Sequence, residues 1–213
     1  MTYKIKFMEG QMTVSILVSS IMQVVLVNVI PILCWLKFGR KKQSFLKWIG
    51  LKIPKINNRM CFFTFLILGF ILFSALGVMI LLYFTNKSDI AASQFYGVGI
   101  SGIIAALLYA FVQTGLSEEM LFRGFIGKRA ISAFGFVVGN TIQALLFGCL
   151  HGVMFYLNTG ILNATIITIF TAIIGWVMGY INEKLSDGSI IPSWILHGSA
   201  NLFSAFIMMF NIL

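Results

Sequence analysis

Hydrophobic residues fill long uncharged stretches of the chain, and short polar segments separate these stretches. The uncharged stretches cover residues 10–36, 60–86, 90–117, 130–182 and 188–213. Each is long enough for a transmembrane helix, which needs about 20 apolar residues. The stretch 130–182 is long enough for two helices, with a break predicted at Asn158–Gly160. No alternating pattern typical of the strands of a β-barrel occurs.

This pattern predicts an all-α fold, a polytopic transmembrane helical bundle of about six to seven spans. Helices are expected at residues 11–36, 61–85, 95–129, 134–157, 161–182 and 189–212. The length allows one domain, so we predict a single transmembrane domain over residues 1–213.

Composition agrees with a multi-pass protein of the cell membrane. Of the 213 residues, 59% are hydrophobic and 10% are charged, and the mean hydropathy is +0.98. A soluble domain has about 25% charged residues. We therefore expect the lipid bilayer to surround most of the chain.

Positive charge is concentrated in one connecting segment, residues 37–59, which we call the basic loop. It holds eight Lys and Arg residues and no acidic residue. A basic block can bind nucleic acid, but between two spans it is typical of a cytoplasmic loop, so no nucleic-acid partner is expected. Alternation of the spans then places Lys128, Arg129 and residues 182–188 in the cytoplasm, and Thr85–Gln94 outside.

Two adjacent carboxylates and both histidines of the chain fall inside predicted spans. They are Glu118, Glu119, His151 and His197. A charge at the bilayer centre costs about 2.5–3.5 kcal/mol even on a lenient scale, so intramembrane ionisable residues indicate function. Three helices can bring one Glu and two His to a common point below the cytoplasmic face.

Spacing within the helices indicates roles for these residues. Glu119 and Arg123 are four residues apart on one helix and can form an ion pair. Glu118 lies about 100° around that helix, where it lacks this partner. An unpaired, partly desolvated carboxylate is a candidate general base. Phe147 and His151, and likewise His197 and Asn201, repeat the four-residue spacing on two later helices.

Three short motifs, in order, resemble those of the CPBP intramembrane proteases. They are EEMLFR (Glu118–Arg123), FGCLH (Phe147–His151) and HGSAN (His197–Asn201). The family includes the type II CAAX prenyl endopeptidases and bacterial relatives linked to bacteriocin processing and self-immunity. The motif-bearing core covers residues 95–210.

The resemblance implies an endopeptidase that hydrolyses small membrane-associated peptides or proteins in a cavity open toward the cytoplasm. By resemblance, Glu118 and His151 activate a water, and His197 and Asn201 donate hydrogen bonds to the oxyanion. Glu119 and Arg123, with Phe147 of the second motif, support the helices or the substrate.

The resemblance leaves the use of a metal open. Glu118, His151 and His197 are chemically a possible catalytic zinc set. No HExxH motif is present, and no acidic partner for the histidines is evident from the sequence. We therefore expect no metal cofactor and keep Zn²⁺ as the alternative.

Two other functions fit the same residues. One is a non-catalytic membrane immunity or scaffold protein that binds a peptide or a membrane partner. The other is a small proton-coupled transporter with Glu118 and the histidines as a relay. The lack of an evident internal repeat counts against the transporter.

Overall fold

The computed structural model describes residues 2–84 and 90–212, with side chains from residue 10 onward apart from those of residues 81 and 84. Helical turns make up most of these residues, and no β-strand occurs in this part of the chain. The predicted all-α class is therefore confirmed.

Six long helices form the bundle in residues 2–84 and 90–212. They are α1 Thr2–Phe38, α2 Arg59–Met79, α3 Gly99–Phe134, α4 136–159, α5 161–180 and α6 Ile191–Met209. Shorter elements are the single turn Phe45–Trp48, the 3₁₀ turn Ala91–Phe95 and the π-helical extensions Ile80–Phe84 and Ile181–Leu185. The predicted helices agree with these bounds to within about five residues, except that α1 begins at Thr2, nine residues before the predicted start at residue 11. The predicted end of the second helix at residue 85, and residues 85–89 of the predicted outer loop, lie outside the described residues.

Two glycines end helices by adopting a backbone conformation that other residues rarely reach. Gly135 separates α3 from α4 with φ 79°, and Gly160 separates α4 from α5 with φ 75°. Without a Cβ atom, glycine adopts positive φ at little cost. The break predicted at Asn158–Gly160 is therefore confirmed.

The helices α4 and α5 pack against each other as an antiparallel hairpin. The Asn140 amide of α4 donates to the Trp176 carbonyl of α5 at 2.9 Å. A Cβ atom on Gly148 would lie 2.4 Å from the Thr168 carbonyl oxygen, and one on Gly152 would overlap the Thr168 side chain. Small residues in membrane helices allow such close approach of two backbones.

Within the described residues, four helical segments are long and apolar enough to cross a membrane. They are Gly10–Phe38, Arg59–Met79, Gly99–Phe134 and Phe136–Leu185, the last of which contains the hairpin. Large apolar side chains project outward from them, for example Leu26 at 66% and Val153 at 72% exposure. This surface and these lengths agree with a multi-pass membrane protein.

The basic loop, Lys128 and residues 182–190 meet at one end of the bundle, which we call the basic end. The Ile190 amide donates to the Gly50 carbonyl at 2.9 Å. The Lys128 ammonium pairs with Glu183 at 2.8 Å. The sequence predicted that the basic loop, Lys128 and residues 182–188 lie on the same side of the membrane. In the structure these segments are in contact. That this side is cytoplasmic stays a prediction.

The close packing of α4 against α5 at Gly148 predicts that a larger residue there destabilises the protein. Gly148→Ala places a methyl group against the backbone of α5, and overpacking of this kind costs about 1–3 kcal/mol. We expect a lower thermal unfolding midpoint in detergent.

The matched control is Gly10→Ala in α1, because a Cβ atom there meets no atom within 4 Å. Alanine also favours a helix over glycine, so this midpoint should stay equal or rise. Equal midpoints for both variants would show that α4 and α5 do not pack as described.

Candidate active site

The helix α3 carries the two carboxylates between π-helical turns. A short α-helical turn, Ser117–Glu119, lies between the π-helical segments Leu108–Leu116 and Met120–Gly127. The Thr114 hydroxyl donates to the Tyr109 carbonyl five residues earlier, at 3.0 Å. Insertions of π-helix are rare and frequently lie at functional sites.

Three helices bring Glu118, His151 and His197 together, as the sequence predicted. The Glu118 Oε2 atom lies 4.0 Å from Nε2 of His151 on α4 and 3.8 Å from Nε2 of His197 on α6. This oxygen is buried and has no hydrogen-bond partner among the described protein atoms. Separations beyond 3.5 Å between polar atoms leave space for a bridging water.

Both histidines turn the same ring nitrogen toward Glu118, because the other nitrogen is engaged. The His151 Nδ1 atom lies 2.9 Å from the Phe147 carbonyl oxygen. A carbonyl only accepts, so Nδ1 must carry the proton. The His197 Nδ1 atom lies 3.0 Å from Glu119 Oε1 and likewise donates to it. In its neutral form, each ring therefore presents an unprotonated Nε2 to Glu118.

Glu119 is the centre of a second, fully buried set of polar contacts. Its carboxylate pairs with Arg123 at 3.0 Å, which confirms the predicted ion pair. Besides His197, it also accepts a hydrogen bond from the Ser193 hydroxyl. The Ser193 hydroxyl in turn accepts one from the Asn182 amide at 2.6 Å. Glu119 thus ties α3 to α6 beneath the site.

The predicted Phe147 lies between these groups and is completely buried. The Arg123 guanidinium lies 4.1 Å from the centre of its ring, and the His151 ring centre is 4.5 Å away. Phe147 therefore fixes Arg123 and His151 by contact with both. Gly175 of α5 leaves room for this arrangement, since a Cβ atom there would lie 3.2 Å from Arg123 and from Phe147.

Asn201 lies one helical turn beyond His197 and faces the same cavity. Its amide nitrogen donates to the Thr114 hydroxyl of α3 at 2.7 Å. The amide has a second N–H that can serve another acceptor. Thr114 thus fixes the orientation of a predicted oxyanion donor.

A cavity of about 230 Å³ adjoins these side chains. Glu118, His151, His197 and Asn201 line it together with apolar residues, among them Phe73 and Leu76 of α2. The side chains of Glu118 and His151 are 20% and 22% exposed, so they reach open space. Helix α2, which carries no motif, therefore forms part of the wall.

Sequence reasoning missed Ser193, Asn182 and Thr114. A signal for two of them was present in the spacing. Ser193 precedes His197 by four residues and Thr114 precedes Glu118 by four, so each lies on the same helix face as a motif residue. Asn182 has no such signal, because it reaches Ser193 only through the turn between α5 and α6.

The geometry fits a metal site only in part. A carboxylate and a carbonyl hold the two Nδ1 atoms, which is the usual support of metal-binding histidines. The expectation that His197 has no acidic partner was therefore wrong. Yet two ligands on one tetrahedral zinc are about 3.3 Å apart, less than the 3.8 and 4.0 Å found here. No group of three or more His, Cys, Asp or Glu in the described part of the chain qualifies as a metal site.

Comparison with known proteins identifies the motif-bearing part of the chain. Residues 99–203 match the family model of the type II CAAX prenyl endopeptidase Rce1-like proteins. Searches of curated proteins and of solved structures found no match. Residues 99–203 contain all three motifs and every predicted site residue, and their match to the Rce1-like family supports the resemblance to the CPBP intramembrane proteases.

Proposed function

We propose that this protein is an intramembrane endopeptidase that hydrolyses peptide bonds of small membrane-associated peptides or proteins. The family match supports a CAAX-type protease at the level of the family. The observation that carries the proposal is the unpartnered Glu118 oxygen, which faces the free Nε2 atoms of His151 and His197. Bacteriocin or pheromone precursors, and self-immunity, are the biological roles that we propose for it.

The first step is activation of water. A water between Glu118 and His151 donates one hydrogen bond to the carboxylate and one to Nε2, since both atoms are acceptors. Glu118 takes a proton as the water oxygen bonds to the scissile carbonyl carbon. A general base placed in this way contributes about 10²–10⁴ in rate.

The second step is stabilisation of the negative oxygen that forms. The free N–H of Asn201 is one donor. His197 is the second, and because its Nδ1 proton goes to Glu119 it donates from Nε2 only when the ring is protonated. Loss of one such donor typically costs about 10²–10³ in rate.

The third step breaks the carbon–nitrogen bond. Glu118 returns the proton to the leaving amine, and the products are a carboxylic acid and an amine. A metal takes no part in these steps, because the Glu118 oxygen lies farther from the two histidine Nε2 atoms than two ligands of one zinc lie from each other. We propose that no metal cofactor is needed, with Zn²⁺ as the alternative.

Substitutions of the two activating residues test the hydrolytic mechanism. Glu118→Gln and, separately, His151→Ala should insert normally and lose processing by about 10²-fold or more, because the first removes the general base and the second removes an acceptor for the attacking water. Mass spectrometry of membrane peptides, in cells with and without each variant, measures the processing.

Cys149→Ala is the control, because that side chain is exposed and lies two residues from His151. It should process normally. Full processing by both Glu118→Gln and His151→Ala would rule out the protease and leave the binding protein. Solute flux without any cleaved product would instead indicate the transporter.

The two adjacent glutamates should differ in their effect on stability. Glu119→Gln leaves Arg123 buried without its counter-charge, and breaking a buried pair in this way costs about 3–5 kcal/mol. Glu118→Gln changes a carboxylate whose Oε2 atom has no hydrogen-bond partner among the described protein atoms, so it should not lower the unfolding midpoint in detergent. A midpoint lowered equally by both substitutions would refute the division of roles between Glu118 and Glu119.

Metal dependence is tested on the purified protein. We expect less than one zinc per chain and unchanged cleavage after prolonged incubation with a chelator, because the proposed base is the carboxylate itself. Loss of cleavage with the chelator, restored by added Zn²⁺, would replace this mechanism with metal catalysis.

A further inference from the structure

The first part of the basic loop folds against the end of α1, and we call this part, residues 37–48, the cap. The Trp35 indole of α1 donates to the Gln43 carbonyl at 2.9 Å. The Trp35 ring also packs edge-on against Phe45, with ring centres 5.8 Å apart. Gly39 lies so close to this indole that a Cβ atom on it would be 2.6 Å away. These contacts give the cap a defined shape at the end of the helix.

The cap also contacts the last turns of α3. The Arg129 guanidinium lies 3.7 Å from the centre of the Trp48 ring, and it donates to the Trp48 carbonyl at 3.2 Å. The Trp48 ring packs on Phe125 as well, with ring centres 5.9 Å apart. Because α3 also carries Glu118 and Glu119, the cap is attached to the helix that forms the candidate active site.

The outer surface of the cap combines positive charge with exposed apolar side chains. Phe38 is 66% exposed and Leu46 is 51% exposed. Five exposed cations lie beside them in the chain: Lys37, Arg40, Lys41, Lys42 and Lys47. A surface of this composition suits the membrane interface, where apolar side chains enter the acyl boundary and cations meet anionic headgroups.

Three of these cations follow one another in a tight turn. They are Arg40, Lys41 and Lys42. The Lys42 and Gln43 amides both donate to the Gly39 carbonyl, at 2.9 and 3.2 Å, which closes the turn. The planar guanidinium of an arginine matches a phosphate group, and a lysine adds a point charge. The turn therefore concentrates three phosphate-binding side chains.

No acidic side chain in the described part of the chain pairs with the cations of the cap. The described acidic residues are Glu118, Glu119, Glu183 and Asp187. The first two belong to the candidate site. Glu183 pairs with Lys128 at 2.8 Å, and Asp187 pairs with Lys52 at 3.2 Å. The cap therefore presents its positive charge to anions from outside the chain.

The position of the cap along the chain places it at the membrane boundary. The candidate span Gly10–Phe38 ends within it, and the next candidate span, Arg59–Met79, begins after the basic loop. Trp35 and Trp48 are half-buried there, and tryptophan is enriched at the level of the headgroups. Clusters of about four to eight Lys and Arg residues directly after a span are typical of sites for anionic lipids.

We infer that the cap is a binding site for anionic phospholipids. Arg40, Lys41 and Lys42 bind the phosphate of the headgroup, and Phe38 and Leu46 lie beside the acyl chains. This surface is separate from the candidate active site, so lipid binding and peptide hydrolysis can fail independently of each other.

Native mass spectrometry of the full-length protein tests lipid selectivity. The protein is released from micelles of a nonionic detergent that contain equal amounts of phosphatidylglycerol and phosphatidylcholine with the same acyl chains. We expect at least about fivefold enrichment of phosphatidylglycerol in the retained lipid, the factor that a single Lys or Arg contributes near an anionic surface. Equal retention of the two lipids would overturn the inference. Retention of a soluble polyglutamate peptide without lipid enrichment would overturn it in favour of an acidic peptide.

Neutral substitutions in the turn test the location of the site. The triple variant Arg40→Gln, Lys41→Gln and Lys42→Gln should lose the enrichment. The matched control removes the same charge from exposed residues outside the cap and should keep it: Lys55→Gln, Arg59→Gln and Lys184→Gln. Enrichment that persists in the first variant, or that is lost equally in both, would overturn the assignment to the cap.

A charge-conserving variant and a salt series separate lipid binding from folding. Arg40→Lys, Lys41→Arg and Lys42→Arg together should keep the enrichment, and its loss would contradict binding by charge. The unfolding midpoint in neutral detergent shows whether the glutamine variant is folded. For the unsubstituted protein, enrichment should fall severalfold between about 0.05 and 0.5 M ammonium acetate, because salt screens exposed charges. Enrichment that salt does not change would overturn the inference even if the glutamine variant does not fold.

Discussion

The structure depends on one buried carboxylate, that of Glu119. It is completely buried and lies 3.0 Å from both the Arg123 guanidinium and the His197 ring. A charge in an apolar bundle is stable only when it is paired and hydrogen-bonded. Because its partners come from α3 and α6, satisfying this one charge fixes the position of two helices and sets the tautomer of His197.

Glu118 differs from its neighbour because its Oε2 atom has no hydrogen-bond partner in the part of the chain that the structure describes. Its free oxygen faces two ring nitrogens at distances that suit a water rather than a direct bond. Glu119 thus stabilises the fold through its buried contacts. Glu118 is instead held where its free oxygen can bind a water. Strained or unsatisfied groups persist at functional sites when the surrounding structure fixes them.

The parts of the fold and site that the sequence predicted follow from rules with one strong physical cause. Apolar stretches in lipid must be helices, and a glycine between them ends a helix, so the six helices and the break at Gly160 were foreseeable. Ionisable residues in a membrane face the interior, so Glu118, His151 and His197 were expected to meet.

Other features depend on tertiary contacts that no local rule contains. No sequence pattern predicted the π-helical turns of α3. Asn182 joins the site across a turn.

The meeting of Glu118 with His151 can be measured directly in lipid. Because the chain has only two histidines, solid-state NMR with ¹⁵N-labelled His and ¹³C-labelled Glu can resolve each ring. We predict a short carboxyl-carbon to Nε2 distance for His151, in keeping with the 4.0 Å oxygen–nitrogen separation, and its loss in Glu118→Gln. The absence of any such short distance for His151 would contradict the account, because no hydrolytic water could then be shared between the two residues.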